Sequence, residues 1–559
     1  MPSPSVIRGR LRCKPLLRVS LNAAALVACA TLIAGACLRA QTPAQPQAAA
    51  QAPGAASTSA PRASSLTVNA RLVVLDVVVT GQDGKPIDDA GAGLTARDFQ
   101  VYEDGKLQRI RSLEPPSAHT LPAATAAAGA SAAFDPAQPA AFGHSPVDIL
   151  VLDQLNTHFA DSSFARRSLH DYLAAQPALL AQPTTLLSVY ENRFKLLQAF
   201  TRDRDALLRA LAAAPTEYAW TLEVNGKADH GPLERLDQSL RALEEIAQSY
   251  ARIPSRKNLI WVGGGFPTVD PQALDADDEQ EIKDTLQHVT DVLLDTRITV
   301  YAVDPTSSAA GMTEITDATQ MAFVLGAADS VGGNVDPFNA SEDFDRLGPV
   351  TGGRVVRGMN DIAEQIASSV ELGDSYYTIS YTPSSTSEAA AQYRRIKVVC
   401  LRAGLTATTR SGYYSGQTQH EKSAAAAAYD LTTAAQSNMP LNGVRVTVEP
   451  DRSPNASPGA YIVHAGVANL TWKPRSDGSA TASVYVMAVS LDAKNQMLGH
   501  TLHGMTATAK SGANLADSAR TADFLFTAPP AAKSTTLRFI VRDSTTGRMG
   551  SVDLPLAKR

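Results

Sequence analysis

Cysteine is scarce in this chain: 559 residues hold four, and Cys13 and Cys29 fall in the N-terminal leader. No C-x-x-C pair occurs, which removes a zinc knuckle and a disulfide framework from consideration. A basic patch is missing as well. The 50 Lys and Arg against 55 Asp and Glu give a formal net charge of −5. Beyond the leader no Lys/Arg stripe marks a nucleic-acid face, so nucleic acid is not expected as a partner. After the leader no apolar run reaches the ~20 residues that a spanning helix needs. The sequence also lacks H-E-x-x-H, G-x-S-x-G and a Walker loop, so it offers no enzyme signature and no certain cofactor.

What is present begins at the N-terminus. Arg8, Arg10, Arg12, Lys14 and Arg18 precede an uncharged apolar run from Leu21 to about Ala36, followed by small residues. This order describes a secretory signal peptide over 1–40; the run is short for the alternative, a permanent anchor. Ala34-Gly35-Ala36 fits ordinary cleavage before Cys37, and weakly fits a lipobox that would leave Cys37 lipid-modified. The protein is therefore expected to be exported: periplasmic, outer-membrane-associated or extracellular. Membrane contact is expected only through a lipid anchor at Cys37. Cys400 ends an apolar strand-like run and reads as a small hydrophobe.

Composition and periodicity divide the rest. Residues 41–64 are Ala/Pro/Gln/Ser-rich and read as a disordered tether. Residues 65–114 carry β-branched runs punctuated by Asp83-Gly84 and Asp104-Gly105, the signature of a small antiparallel β unit. Residues 115–145 are Ala/Pro-rich and read as a linker. From 146 to 383 apolar strands (147–152, 185–190, 194–200, 258–262, 298–303, 376–381) alternate with amphipathic helices. This predicts an α/β domain with a doubly wound, mainly parallel sheet of Rossmann type. Residues 305–345 read as a surface insertion, 384–414 as a β extension of this domain, and 415–440 as a linker with a helical portion. Short alternating strands and regular turns over 441–559 predict a C-terminal β-sandwich. The linkers and the tether are the expected first sites of proteolysis.

Candidate chemistry is sparse. Gly263-Gly264-Gly265 follows a strand but lacks Walker spacing and its Lys, so a tight strand exit is the better reading than a phosphate cradle. His500 and His503 have no acidic or Cys neighbours in sequence. The acidic run Asp275 to Glu281 suits a helix start, where negative charge complements the dipole.

Ligands of open α/β sheets bind at the carboxyl ends of strands, and the first such end here is Asp153-Gln154-Leu155-Asn156-Thr157. The phrase VDILVLDQLNT, the β unit with two Asp-Gly turns before it, and the run IKVVCLRAGLTATTRSGYYSG after the α/β segment together resemble the VWFA-related (von Willebrand factor type A-like) proteins of acidobacteria. The resemblance implies a VWA-like fold, a protein-interaction or adhesion function, and a metal-ion-dependent adhesion site with an Asp-x-Ser-x-Ser core. On that pattern Asp153 matches the Asp and Thr157 the second Ser, with Asn156 as an extra oxygen. Leu155 replaces the first Ser. No carboxylate follows the strand at Gly263 to Gly265 before Asp270, and Thr216 and Thr221 are only candidates for the family's Thr. The site Asp153, Asn156, Thr157 is thus degenerate. Weak or absent Mg²⁺ binding is expected, since that ion wants near-octahedral oxygen coordination. A structural role for Asp153, capping the following turn, is the alternative. The expected function is a non-enzymatic, exported interaction module with an unidentified protein partner. A structural envelope protein and an uncharacterised hydrolase stand as alternatives.

Overall fold

The computed structural model describes residues 72–87, 93–190, 193–217, 231–266, 276–305, 347–357, 361–384, 392–415 and 424–556. The leader, the tether, the insertion beyond Pro305, and Thr221 and Asp270 lie outside the described residues.

Four strands come first: β1 (Val73–Thr80), β2 (Phe99–Glu103), β3 (Lys106–Gln108) and β4 (Ile110–Glu114). The second Asp-Gly turn closes the β2–β3 hairpin. Glu103 pairs with Lys106, while Asp104 and Gly105 both take positive φ, 48° and 76°, as a two-residue turn matched to strand twist requires.

Residues 115–145 differ from the linker expected. Phe134 and Phe142 are buried in the core of the α/β domain, and Phe142 meets Phe200 edge-on at 5.3 Å. Two large rings bury enough area to anchor a segment otherwise made of Ala and Pro.

The α/β domain follows with β5 (Val147–Asp153), α1 (Phe159–Ala175), β6 (Leu179–Tyr190), β7 (Arg193–Asp203), α2 (Arg204–Ala213), α3 (Pro232–Ser249), β8 (Lys257–Val262), α4 (Ala276–Asp295), β9 (Ile298–Val303), α5 (Leu347–Thr351), β10 (Val355–Val356) and α6 (Ile362–Asp374). The sheet order is β10-β9-β8-β5-β6-β7. All neighbours are parallel except β7, which returns antiparallel to β6 along the edge. Successive side chains of a strand point to opposite faces. Ile149, Val151 and Leu259 accordingly meet Leu243 and Ile246 of α3 and Leu286 of α4 on one face. Leu150, Leu152 and Ile260 meet Leu169 of α1, Leu211 of α2 and Ile366 of α6 on the other. This two-sided cover explains why β5, β8 and β9 are buried at every position.

The strand expected to close this sheet, β11 (Tyr377–Tyr381), goes elsewhere. It pairs antiparallel with β1, Val73 opposite Tyr381, and with β4. Next come β12 (Gln392–Cys400), β13 (Thr406–Thr408) and β14 (Gly412–Ser415). β12 pairs with β2 and β14, and β13 with β1. The 65–114 unit and the 384–414 extension are therefore one two-sheet structure, with Leu75, Val77, Val101, Ile379 and Val398 in its core. Half-buried Cys400 packs against that core as a free thiol.

The segment 415–440 is likewise not a free linker. Its described part holds α7 (Ala424–Gln436), whose Leu431 and Ala435 pack on Met487 and Ile540. Those two residues belong to the C-terminal strands β15 (Val446–Pro450), β16 (Ala460–Gly466), β17 (Lys473–Pro474), β18 (Ala480–Leu491), β19 (Met497–Ala509), β20 (Thr521–Thr527), β21 (Thr536–Asp543) and β22 (Met549–Pro555). A three-stranded sheet β15-β16-β20 faces a five-stranded one built on β18 and β21. Val463, Phe526, Val486 and Phe539 fill the space between them. All pairings are antiparallel, and the described residues of this region contain no α-helix after α7.

Candidate functional site

The chain leaves β5 at Asp153 and turns through Gln154 to Thr157 before α1 starts. Asp153 is wholly buried, and both its oxygens are engaged. Oδ1 accepts the backbone N–H groups of Leu155 and Asn156, each at 2.9 Å. Oδ2 accepts the Trp261 indole N–H at 2.9 Å and the Asn156 amide at 3.2 Å. Burial pushes the Asp153 carboxyl up to about 6 despite these bonds from Asn156, Trp261 and Leu155. Thr157 Oγ1 accepts the Gly264 N–H at 2.8 Å.

The glycines after β8 allow this closure. A Cβ on Gly263 would sit 2.5 Å from Asp153 Cβ and 2.6 Å from Thr157 Oγ1, and one on Gly264 would sit 2.3 Å from the Asn156 carbonyl oxygen. The Gly-rich segment is thus a close-approach surface for the loop.

The three residues singled out as metal ligands share one turn: Asn156 donates to Asp153, and Thr157 Oγ1 accepts the Gly264 N–H beside them. Leu155 is fully buried. Asn156 Oδ1 alone among their side-chain oxygens is buried without a hydrogen-bond donor. One orphan amide oxygen beside a carboxylate already filled by four donors does not fit an octahedral cation. In this geometry Asp153, Asn156 and Thr157 form a hydrogen-bonded turn, the capping role weighed against weak or absent Mg²⁺ binding at these residues. Thr216 is exposed and close to a different anchor, Gln154. That side chain donates to Ser188 Oγ at 3.1 Å and accepts the Glu217 N–H at 3.0 Å. Farther along the same edge Asp304 pairs with Arg357 at 3.4 Å. His500 and His503 lie exposed on β19, and α4 begins at Ala276 within the acidic run.

A second constellation lies where α3, α4, α7 and β21 meet, and sequence reasoning passed over it. Glu244, His288 and Asp430 are all buried, and their ligand-type atoms all lie within 4.8 Å of one another. His288 Nε2 is hydrogen-bonded to Asp430 Oδ1 and stands 3.9 Å from Glu244 Oε1. The Arg542 Nε–H donates to Asp430 Oδ2 at 2.6 Å. Neither oxygen of Glu244 has a hydrogen-bond partner. Burial, reinforced by the Asp430 charge, pushes the Glu244 carboxyl up to about 7. Burial works against ionisation of Asp430 too, yet His288 and Arg542 hold its carboxyl below the usual range. This triad is a donor set that can hold a metal ion.

Polar bonds around it weld the C-terminal sandwich to α3. Glu245 Oε1 accepts Ser437 Oγ at 2.9 Å and the Asn438 and Met439 N–H groups at 2.8 and 3.0 Å. Gln248 donates to the Gly547 carbonyl at 3.1 Å and accepts the Met549 N–H at 2.9 Å. The sequence signal was the helical spacing: Glu244 stands four residues after Leu240 on a face otherwise apolar.

No family model and no curated protein matches the chain. Solved structures do. One is proximal thread matrix protein 1 from the mussel byssus, at 11% identity over 29% of this chain and 38% of that one, with a TM-score of 0.19. A second is the SpRpn10 VWA domain, at 12% identity over 29% and 89%, with a TM-score of 0.16. A third is the manganese-loaded Plasmodium vivax TRAP protein, at 9% identity over 56% and 97%, with a TM-score of 0.22. The chain thus spans less than half of the mussel protein's length.

Proposed function

We propose that this chain is an exported interaction module of the von Willebrand factor type A kind, which binds a protein partner at the carboxyl edge of its six-stranded sheet without a metal bridge. The position of the Asp153–Thr157 loop carries this reading. β5 is the first strand of its sheet in sequence. β6 and β7 are laid down on one side of it and β8 to β10 on the other. The carboxyl end of β5 is therefore a topological switch point, where open α/β sheets form their binding crevice. Phe159, at the start of α1 on the same edge, is exposed, and exposed aromatic surface suits protein recognition. Asp153 in this reading is a brace that fixes the loop, and binding does not depend on a cation.

Capture from envelope extracts, with wild type and Phe159→Asp compared in the presence of chelator, tests the proposal. A partner held by the wild type through chelation and lost by the variant is the expected result. Self-association alone in both would favour a structural envelope protein, and turnover of generic ester or peptide substrates would favour a hydrolase. Export is checked by the mass of the mature N-terminus: an intact Met1 on the folded protein rules it out, and a diacylglyceryl mass on Cys37 adds a lipid anchor.

The brace has its own expected outcome. Asp153→Ala leaves the Trp261 indole and two backbone N–H groups buried without an acceptor. At ~1–3 kcal/mol for each unsatisfied buried group, partly offset by removal of a carboxyl whose burial is itself unfavourable, the net loss of stability is on the order of 2–4 kcal/mol, read by thermal or urea unfolding. Calorimetric titration with Mg²⁺ accompanies it. Saturable heat from the wild type that disappears in a folded Asp153→Ala protein would make Asp153 a ligand and overturn the brace.

A further inference from the structure

We infer that Glu244, His288 and Asp430 form a binding site for a divalent transition-metal ion of the Zn²⁺ class, which clamps the α/β domain to the helix and sandwich that follow it. Each side chain arrives from a different helix: Glu244 from α3, His288 from α4, Asp430 from α7. One imidazole nitrogen and two carboxylates are the donor set that Zn²⁺ and its neighbours accept. Mg²⁺ and Ca²⁺ ask for six or more oxygens. Zinc bonds to nitrogen and oxygen are about 2.0–2.2 Å long, so ligand atoms around a tetrahedral ion stand roughly 3.3–3.6 Å apart. The 3.9 Å between His288 Nε2 and Glu244 Oε1 is within a few tenths of an ångström of that spacing. The direct His288–Asp430 bond is the one contact an ion would open.

The observation that points to a ligand is Glu244. Its side chain is wholly buried and faces His288 and Asp430, yet neither oxygen accepts a hydrogen bond. A buried carboxylate without donors is costly unless a cation meets it. Asp430 is fixed from behind by Arg542, as carboxylate ligands commonly are by hydrogen-bonding partners. Binding is an exchange of a cation for protons and involves no electron transfer. The ion takes the Nε2 lone pair of His288 and one oxygen each from Glu244 and Asp430. Any proton on His288 Nε2 or on the Glu244 carboxyl leaves to solvent, and a water or the second Glu244 oxygen completes four-coordination. The site shares no residue with the Asp153 loop and stands independently of the partner-binding reading.

The test uses the full-length chain, stripped with chelator and titrated with Co²⁺ and Zn²⁺. Co²⁺ should bind at one equivalent with the visible absorption of a low-symmetry four-coordinate ion. Zn²⁺ should displace it and raise Tm. His288→Ala should weaken Co²⁺ binding by about 100-fold or more, since even partners behind a ligand cost 10–100-fold when removed. Glu244→Gln, which keeps the packing volume, should do likewise, so a folding defect in one variant does not decide the result. Asp153→Ala should leave the spectrum unchanged. The proposal fails if wild type binds no more Co²⁺ than Glu244→Gln, or if the spectrum persists in His288→Ala. A spectrum lost only in Asp153→Ala also overturns it, and it places the ion at the sheet edge instead.

Discussion

Arg542→Met, measured in chelator, should lower the stability of the protein by about 3–5 kcal/mol, the range for removing one partner of a buried ion pair. Arg542 is fully buried and donates to the equally buried Asp430. Methionine fills most of the volume but leaves Asp430 bonded to His288, beside a second carboxylate on Glu244. Urea unfolding of both proteins gives the difference. A double variant, Arg542→Met with Asp430→Asn, should recover part of the loss, because it also removes the stranded charge. With Asp430→Asn measured alone as well, the three differences give the coupling energy between the two sites. An Arg542→Met protein as stable as wild type would mean that the charges at this junction are not coupled in the folded state.

A second large effect is a dependence on pH centred on Asp148. This residue lies on β5 and is 4% exposed. The Asn258 amide donates to it and to Asp374, at 3.1 Å in each case. Burial pushes the Asp148 carboxyl up to about 7, the bonds from Asn258 and Asp374 opposing it only in part. Burial and then the Asp148 charge raise Asp374 well above its usual range. Both carboxyls have folded values above their unfolded ones. The stability from protonated Asp148 is therefore fully present below about pH 4 and is lost as pH rises through about 7, and that from Asp374 is lost in the same direction. A shift from 3.8 to about 7 corresponds to at most about 4 kcal/mol for one group, and less when two carboxyls share a proton. Glu244 and Glu245 shift in the same direction, so the wild-type slope has several sources. The informative quantity is the difference between proteins. From pH 5.5 to 8 the wild type should lose roughly 2–3 kcal/mol more than Asp148→Asn. Parallel urea profiles for the two would remove Asp148 from the account.

The parallel core was legible in the sequence because its physics is local. Ile149 to Leu152, Leu259 to Val262 and Val300 to Val303 are apolar in both registers, and helices cover both faces of each. Tyr377 to Tyr381 is likewise buried at every position, though Thr378 and Ser380 alternate with its large residues, and it has a different destination. An apolar run records burial on two sides, not the strand beside it, and here the partners are β1 and β4. In 115–145 composition misled because an average hides Phe134 and Phe142, which do the anchoring. Asp153 was correctly singled out as a strand-end carboxylate. Its donor from Trp261 stands 108 positions away, and nothing near either residue announces the bond. The junction triad was the least legible feature. Glu244 sits beside the apolar stripe of its helix, but the sequence does not show that α7 and β21 cover it, and His288 meets Asp430 across 142 positions.

The strand pairing also sets an order of events during synthesis. β1 to β4 leave the ribosome long before β11 to β14. Gln108 and Ser384, bonded side chain to side chain, are 276 positions apart. Until those later strands are made, Leu75, Val77 and Val101 have no sheet to cover them, and β1 and the edge of β2 away from β3 are unpaired. The α/β domain, lying wholly between the two sets, can complete its own sheet first and so brings its two ends close together. That converts a closure over hundreds of residues into one over a short gap. A chain stopped after Asp374 should hence contain a finished six-stranded sheet carrying an unfinished, adhesive β segment at its front, and should aggregate through it.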